Sequence, residues 1–128
     1  MDMYSLSLNN PNLDFKTLEK IIYKTVCEIA CNCLKDVLER FDLMLSAKRD
    51  PKKYRNKGLR KTSVHTVMGT VEYYRRIYET CGENGRKEYI FLLDKHLKNE
   101  TIGRVSSNLA EKIVERVLEE PYRKTAQA

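Results

Sequence analysis

The sequence lacks long hydrophobic runs and any signal for export. Its longest apolar stretch is the five residues from Tyr89 to Leu93, whereas a membrane-spanning helix needs about 20. The first residues contain no basic segment followed by an apolar one, as a secretory signal would. We therefore expect a cytoplasmic protein without a membrane partner. Its 128 residues are enough to bury a core without disulfides.

Residue patterns for metal binding or catalysis are also missing. Cys27 and Cys31 lie one helical turn apart, but Cys33 points about 160° away from Cys31 at roughly 100° per residue. Neither histidine has a partner at zinc spacing or a nucleophile beside it. No carboxylates are placed to converge on Mg²⁺. We expect no catalytic site, metal ion, cofactor or small-molecule substrate.

Positive charge is concentrated in one segment. The net charge of the chain is +6, and residues 48–61 contain eight basic residues against one acidic residue, Asp50. Such a run repels itself, so it is either a solvated linker or the contact surface for a polyanion. Tyrosine, asparagine and threonine, whose side chains donate hydrogen bonds to phosphate oxygens, are interleaved with the cations. This pattern favours nucleic acid as the partner.

We therefore predict a nucleic-acid surface centred on this run. Arg75 and Arg76 point to opposite faces of a predicted strand, so at most one of them extends the surface. The alternative for these arginines is cross-strand pairing with Glu72 or Glu79. The candidate contact residues are Lys48, Arg49, Lys52, Lys53, Tyr54, Arg55, Asn56, Lys57, Arg60, Lys61, Arg75 and Arg76.

The periodicity of apolar residues predicts an α+β fold. Apolar residues recur at spacings of three and four over residues 13–47, as in an amphipathic helix. The principal stripe is Phe15, Leu18, Ile22, Val26, Ile29, Cys33, Val37, Phe41 and Met44. A continuous helix of this length would extend for about 51 Å. It either breaks, packs on the rest of the chain, or projects and pairs with a second copy through residues 13–46.

The remaining segments follow from changes of period. A switch to a period of two after Thr62 predicts a β-hairpin with its turn near Met68-Gly69-Thr70, and residues 89–93 are a candidate third strand. A further helix runs from about Ser107 to Glu119, and Pro121 ends it or opens another. The predicted organisation is a disordered segment 1–12, a long helix 13–47, a basic connector 48–61, a small antiparallel sheet 62–94 and C-terminal helices 95–128.

Five segments resemble, in the same order, the amino-terminal region of an insertion-sequence transposase family long carried as an uncharacterised (UPF) protein family. The segments are Tyr54-Arg-Asn-Lys-Gly-Leu-Arg-Lys-Thr62, residues 66–78, Tyr89-Ile-Phe-Leu-Leu-Asp94, residues 102–110 and Tyr122-Arg-Lys-Thr-Ala126. The resemblance implies a DNA-binding, oligomerising front half, in which residues 122–126 open a helix-turn-helix. It also implies that the catalytic RNase H-like domain lies beyond this sequence.

The chain departs from the family pattern at Pro121 and ends at Ala128 without a helix stop signal, which favours a truncated protein without catalytic activity of its own. Two other functions remain open from the residues. One is an RNA-binding module in which Tyr73, Tyr74 and Tyr78 stack on bases. The other is a protein-interaction remnant that oligomerises through the long helix.

Overall fold

The computed structural model describes residues 13–98, 101–102 and 104–127. Helix α1 spans Phe15–Lys48 without interruption. The Asp14 carboxylate accepts a hydrogen bond from the Thr17 N–H at 2.8 Å and caps its first turn. At the other end the Arg49 N–H donates to the Leu45 carbonyl at 3.0 Å. The predicted helix is therefore confirmed, and the alternative that it breaks near its middle is wrong, whereas the predicted disorder of residues 1–12 lies outside the described residues.

A five-stranded mixed sheet follows the helix, in the spatial order β3-β2-β1-β5-β4. The strands are β1 Arg55–Thr66, β2 Gly69–Cys81, β3 Lys87–Ile90, β4 Thr101–Ile102 and β5 Val105–Ser106. Strands β1 and β2 form a long antiparallel hairpin, and β3 extends it along β2. Strand β5 pairs parallel with β1 at His65 and Val105. The α+β class is confirmed.

Three predicted boundaries of the sheet are wrong. Strand β1 begins at Arg55, inside the predicted basic connector. The residues at its start show no alternation of apolar side chains. They form a strand because β2 supplies their backbone hydrogen-bond partners and carboxylates for their lysines. The hairpin turn is Val67-Met68, one residue before the predicted centre. The third strand ends at Ile90, and the apolar residues that follow form a short helix, α2, over Leu92–Leu97.

The C-terminal region contains β4, β5 and a single helix, α3, over Ser107–Gln127. The Ser106 hydroxyl caps α3 by accepting from the Leu109 N–H at 3.2 Å. The prediction that Pro121 ends the helix or opens another is wrong, since one helix continues past it. A proline can kink a helix without ending it, and glutamate, lysine and arginine around it favour helix. No helix in the described part of the chain is long and apolar enough to cross a membrane.

The core lies between the C-terminal half of α1, α2 and strand β2. Val71, Tyr73 and Leu93 are buried at its centre. The partly buried residues that pack around them are Cys31, Leu34, Leu38, Phe41, Leu45 and Val64. All five helical members of this set lie between residues 31 and 45. The residues of α1 before Cys31 are therefore not part of this core.

The face of α1 that packs on the sheet is not its principal apolar stripe. At roughly 100° per residue, the packed residues are centred about 120° around the helix from the stripe. Only Phe41 belongs to both. The side chains of Phe15, Val26 and Ile29 are 78%, 53% and 63% exposed. Helix α1 thus has two apolar faces, of which the described residues cover one.

Candidate nucleic-acid interface

A tight turn over residues 50–54 presents the first lysines of the basic run. The Asp50 carbonyl accepts hydrogen bonds from the N–H groups of Lys53 at 3.1 Å and Tyr54 at 3.0 Å. The Asp50 carboxylate accepts from the Lys52 N–H at 3.0 Å. The one acid of the run therefore shapes the turn through backbone contacts. The side chains of Lys52 and Lys53 are exposed, and the Lys53 ammonium lies 5.3 Å from the centre of the Tyr54 ring.

Arg49 fastens the end of α1 to this turn. Its Nε donates to the Tyr54 carbonyl at 3.0 Å, and its Nη1 donates to the Ser46 carbonyl at 2.5 Å. The guanidinium carbon also lies 5.4 Å from the centre of the buried Tyr78 ring. These contacts use the donors that sequence reasoning assigned to phosphate. Arg49 positions the turn.

A β-bulge in β1 accounts for Asn56 and Gly58. Asn56 pairs with Tyr78 and Leu59 pairs with Arg76, so Lys57 and Gly58 together lie opposite one residue of β2. Gly58 has a φ of +104°, which side chains disfavour, and its N–H donates to Asn56 Oδ1 at 2.8 Å. Sequence reasoning placed Asn56 at a phosphate contact, whereas the structure uses Asn56 and Gly58 to form the bulge.

The lysines at and beyond the bulge are paired with glutamates of β2. Lys57 Nζ lies 3.0 Å from Glu79 Oε2, and Lys61 Nζ lies 3.3 Å from Glu72 Oε2. Lys87 of β3 approaches Glu79 at 3.4 Å. The hydrogen bond from Lys57, with a smaller contribution from Lys87, holds the pKa of Glu79 below its usual value. The charge of this stretch is therefore largely compensated inside the protein.

Both arginines of β2 are also engaged, with aspartates of the helices. Arg75 forms an ion pair with Asp94 of α2, and its guanidinium lies 3.7 Å from the centre of the Phe91 ring. Arg76 Nη1 lies 2.7 Å from Asp42 Oδ2, and its backbone N–H donates to the same carboxylate at 3.1 Å. The geometry thus removes Arg75 and Arg76 from the predicted surface. Neither pairs with a glutamate as the alternative proposed.

Besides Arg49, which is half-buried and bonded to backbone carbonyls, five cations of the run have no carboxylate partner among the described residues. Lys48 ends α1, Lys52 and Lys53 lie on the turn, and Arg55 and Arg60 lie on β1. All five are exposed, and Arg60 Nη1 donates to the Leu59 carbonyl at 3.1 Å. We call Lys48, Lys52, Lys53 and Arg55 the basic turn. They come together because the turn joins the end of α1 directly to the start of β1.

A groove opens beside the basic turn, between the end of α1 and helix α2. Its volume is about 490 Å³. The lining residues are Leu45, Lys48, Arg49, Tyr54, Leu92, Lys95 and His96. The His96 ring packs at 6.0 Å from that of Phe41, measured between ring centres. Sequence reasoning missed Lys95 and His96, because they are about forty residues away from the basic run and only the packing of α2 on α1 brings them to it.

The tyrosines of β2 do not form the base-stacking platform of the RNA hypothesis. Tyr73 is 3% exposed and Tyr78 is fully buried, so neither ring presents a face to solvent. Burial also raises the pKa of the Tyr73 hydroxyl. Tyr74, on the opposite face of the strand, is 44% exposed and stands alone. This correction removes two of the three tyrosines on which that hypothesis depended.

Metal binding finds no support in the part of the chain that the structure describes. Within it, no group of three or more histidine, cysteine or acidic residues is placed to hold an ion. The four cysteines are free thiols, and two of them, Cys33 and Cys81, are exposed.

Comparison with known proteins gives one match. The model of the uncharacterised protein family UPF0236 matches residues 8–128. No match was found among curated proteins or among solved structures. Since the match covers nearly the whole sequence, the chain belongs to the uncharacterised protein family UPF0236.

Proposed function

We propose that this chain binds duplex DNA through the basic turn, as the DNA-binding amino-terminal part of a transposase-like protein. The observation that carries the proposal is that four exposed cations without a carboxylate partner among the described residues are brought together at one turn. Lysines further along β1 have glutamate partners, and the arginines of β2 have aspartates. The four cations of the basic turn have none, and all are exposed.

The energetics favour a polyanion at this position. Cations confined to one short turn repel one another, and binding to phosphates replaces that repulsion with attraction while releasing counterions from the DNA. The turn itself is held by Asp50 and Arg49 through backbone carbonyl and N–H groups. The cations are therefore presented on a formed scaffold, which lowers the ordering cost of binding.

The test is fluorescence anisotropy with a random-sequence duplex over a range of salt concentrations. Four engaged phosphates predict a slope of log K against log salt of about −3.6. Changing Lys48, Lys52, Lys53 and Arg55 together to Ala removes most of this slope and weakens binding strongly.

A matched control removes the same charge elsewhere, by changing Lys16, Lys24, Lys112 and Arg116 to Ala. All four residues are exposed on helices α1 and α3. We expect this control to keep most of the slope. A wild-type slope near zero, or equal losses in the two variants, contradicts the proposal.

A second candidate function is self-association through the uncovered stripe of α1. Three exposed members of this stripe, Phe15, Val26 and Val37, are eleven residues apart, a spacing close to the natural period of the helix. A second copy carries the same repeat, so two nearly straight helices match along their length. A contact strip roughly 10 Å wide over about 51 Å covers roughly 1,000 Å² in total, which reaches the lower limit for a specific interface.

Sedimentation velocity tests this association. Val26→Lys places a charge in the centre of the stripe and is expected to convert a dimer to a monomer. Leu118→Lys is the control, because Leu118 is 70% exposed on a different helix. A monomeric wild-type protein, or a dimer that survives Val26→Lys, rules out this interface.

A further inference from the structure

We propose that the groove between the end of α1 and α2 binds one unpaired nucleotide of the bound DNA. This inference rests on the proposed function, because the basic turn would bring the DNA to the groove. The base would lie on the apolar floor, and its phosphate would be held by the cationic rim. Extrahelical, frayed and overhanging nucleotides share this chemistry.

The size and lining of the groove fit a base. Its volume of about 490 Å³ lies within the range of small-molecule sites. Leu45 and Leu92 form an apolar floor, and Tyr54 and His96 add aromatic rings. Aromatic side chains bind unpaired bases by stacking, with little dependence on sequence, because every base has a π-face. A base inside a duplex is stacked on its neighbours and cannot enter such a groove.

The charge of the rim fits a phosphate. Lys48 and Lys95 lie on different elements, and neither has an ion-pair partner within the described residues. Arg49 adds positive potential, although its Nε and Nη1 donate to backbone carbonyls. Among the residues that the structure describes, no carboxylate lines the groove. An anionic ligand with a flat apolar part satisfies both the rim and the floor.

Position connects the groove to the basic turn. Lys48 belongs to both, and Tyr54 follows Lys53 directly in the turn. A DNA strand held at the basic turn therefore passes the mouth of the groove. An unpaired nucleotide within that strand adds its stacking energy to the phosphate contacts, which predicts a preference of about tenfold over a fully paired duplex.

The experiment compares a blunt duplex with the same duplex carrying one unpaired 2-aminopurine nucleotide, both measured by anisotropy with the full chain. We expect about tenfold tighter binding of the second duplex and a change in 2-aminopurine fluorescence on stacking. Lys95→Ala and His96→Gln are expected to abolish the preference without changing binding of the blunt duplex.

Lys98→Gly is the matched control. It removes a neighbouring cation that does not line the groove, and glycine suits the left-handed φ of 50° at this position. This variant is expected to keep the preference. If Lys98→Gly loses the preference as Lys95→Ala does, general charge explains it and the groove assignment is wrong.

The outcomes separate the two proposals. Equal binding of both duplexes with a normal salt slope overturns the groove assignment and leaves DNA binding by the basic turn intact. No salt-dependent binding of the blunt duplex overturns the proposed function, and the groove assignment with it. Tight, saturable binding of free dAMP in the absence of DNA, lost in Lys95→Ala, would assign the groove to a free nucleotide and overturn this inference.

Discussion

The basic turn and the two arginines of β2 carry the same charge in very different surroundings. Lys48, Lys52, Lys53 and Arg55 are exposed and have no carboxylate partner among the described residues. Arg75 and Arg76 are mostly covered, and each is paired with an aspartate of a helix. In the sequence both groups read as basic residues beside tyrosines. The basic turn is therefore available to a ligand, whereas Arg75 and Arg76 hold the helices against strand β2.

This difference shows that a basic residue indicates a ligand-binding surface only when it is known whether a carboxylate of the protein already pairs with it. Asp42 is 1% exposed and accepts hydrogen bonds from both the backbone and the side chain of Arg76. A buried carboxylate without such a partner is very unfavourable. Arg76 is therefore occupied by its contacts with Asp42 and is not available to a ligand. The bulge at Lys57-Gly58 lies between the basic turn and the arginines of β2 along the chain.

The largest predicted effect is the loss of stability when Asp42, the partner of Arg76, is removed. Asp42→Ala leaves the Arg76 guanidinium and N–H without their acceptor and is expected to lower the free energy of unfolding by about 3–5 kcal/mol. Asp36→Ala, at an exposed position on the same helix, is expected to stay within about 0.5 kcal/mol of wild type. Urea denaturation measures both. Equal stabilities of the two variants would show that Asp42 does not fasten the helix to β2.

The next effect concerns the bulge that separates the two groups. Gly58→Ala forces a side chain into a backbone with a φ of +104° and is expected to cost about 1–3 kcal/mol. Asn56→Ala removes only the hydrogen bond to the Gly58 N–H, so about 1 kcal/mol is expected. Thermal unfolding of the two variants tests this order. A Gly58→Ala protein as stable as wild type would be incompatible with the bulge.

A smaller effect distinguishes Lys53, an unpaired lysine of the basic turn, from Lys57, which pairs with Glu79. Lys53→Ala is expected to reduce the salt slope of DNA binding by about 0.9 and to leave stability unchanged. Lys57→Ala is expected to leave the slope nearly unchanged, because Lys57 already pairs with Glu79, and to cost less than about 1 kcal/mol of stability. Anisotropy and urea denaturation together distinguish them. Equal changes in slope would remove the distinction between paired and unpaired cations.

The smallest effect is the pH dependence of the stability that the pair Lys57–Glu79 contributes. The pKa of Glu79 is lowered in the folded state, chiefly by the hydrogen bond from Lys57. Its contribution to stability is therefore present above the ordinary value of 4.5 and is lost as the pH falls through the lowered pKa. Glu79→Gln is expected to flatten stability against pH in this acidic window. Urea denaturation at several pH values tests it, and identical profiles for the two proteins would argue against this pair.

The sequence was sufficient for the elements whose stability is local. The span of α1 and the start of α3 follow from residues close to each other in the chain. The hairpin was recognised from Val64 and Val71 onward, where apolar residues alternate. It was missed over residues 55–61, where pairing depends on glutamates that are distant in sequence.

The candidate site was predicted in outline and was wrong in composition. Lys52 and Lys53 lie on the exposed turn, as a basic surface requires. Arg49 and Asn56 instead form hydrogen bonds within the protein, and only the geometry reveals these contacts. Lys95 joins the groove because α2 packs against α1. A local pattern carries no information about that packing.

The sequence by itself determined the α+β class, the long helix and the concentration of positive charge, because periodicity and charge are local properties of the chain. Only the tertiary structure decided which cations are neutralised, which apolar face of α1 is buried and where the groove forms. These properties depend on contacts between residues far apart in sequence. Asp42 and Arg76, separated by 34 positions, are the clearest example.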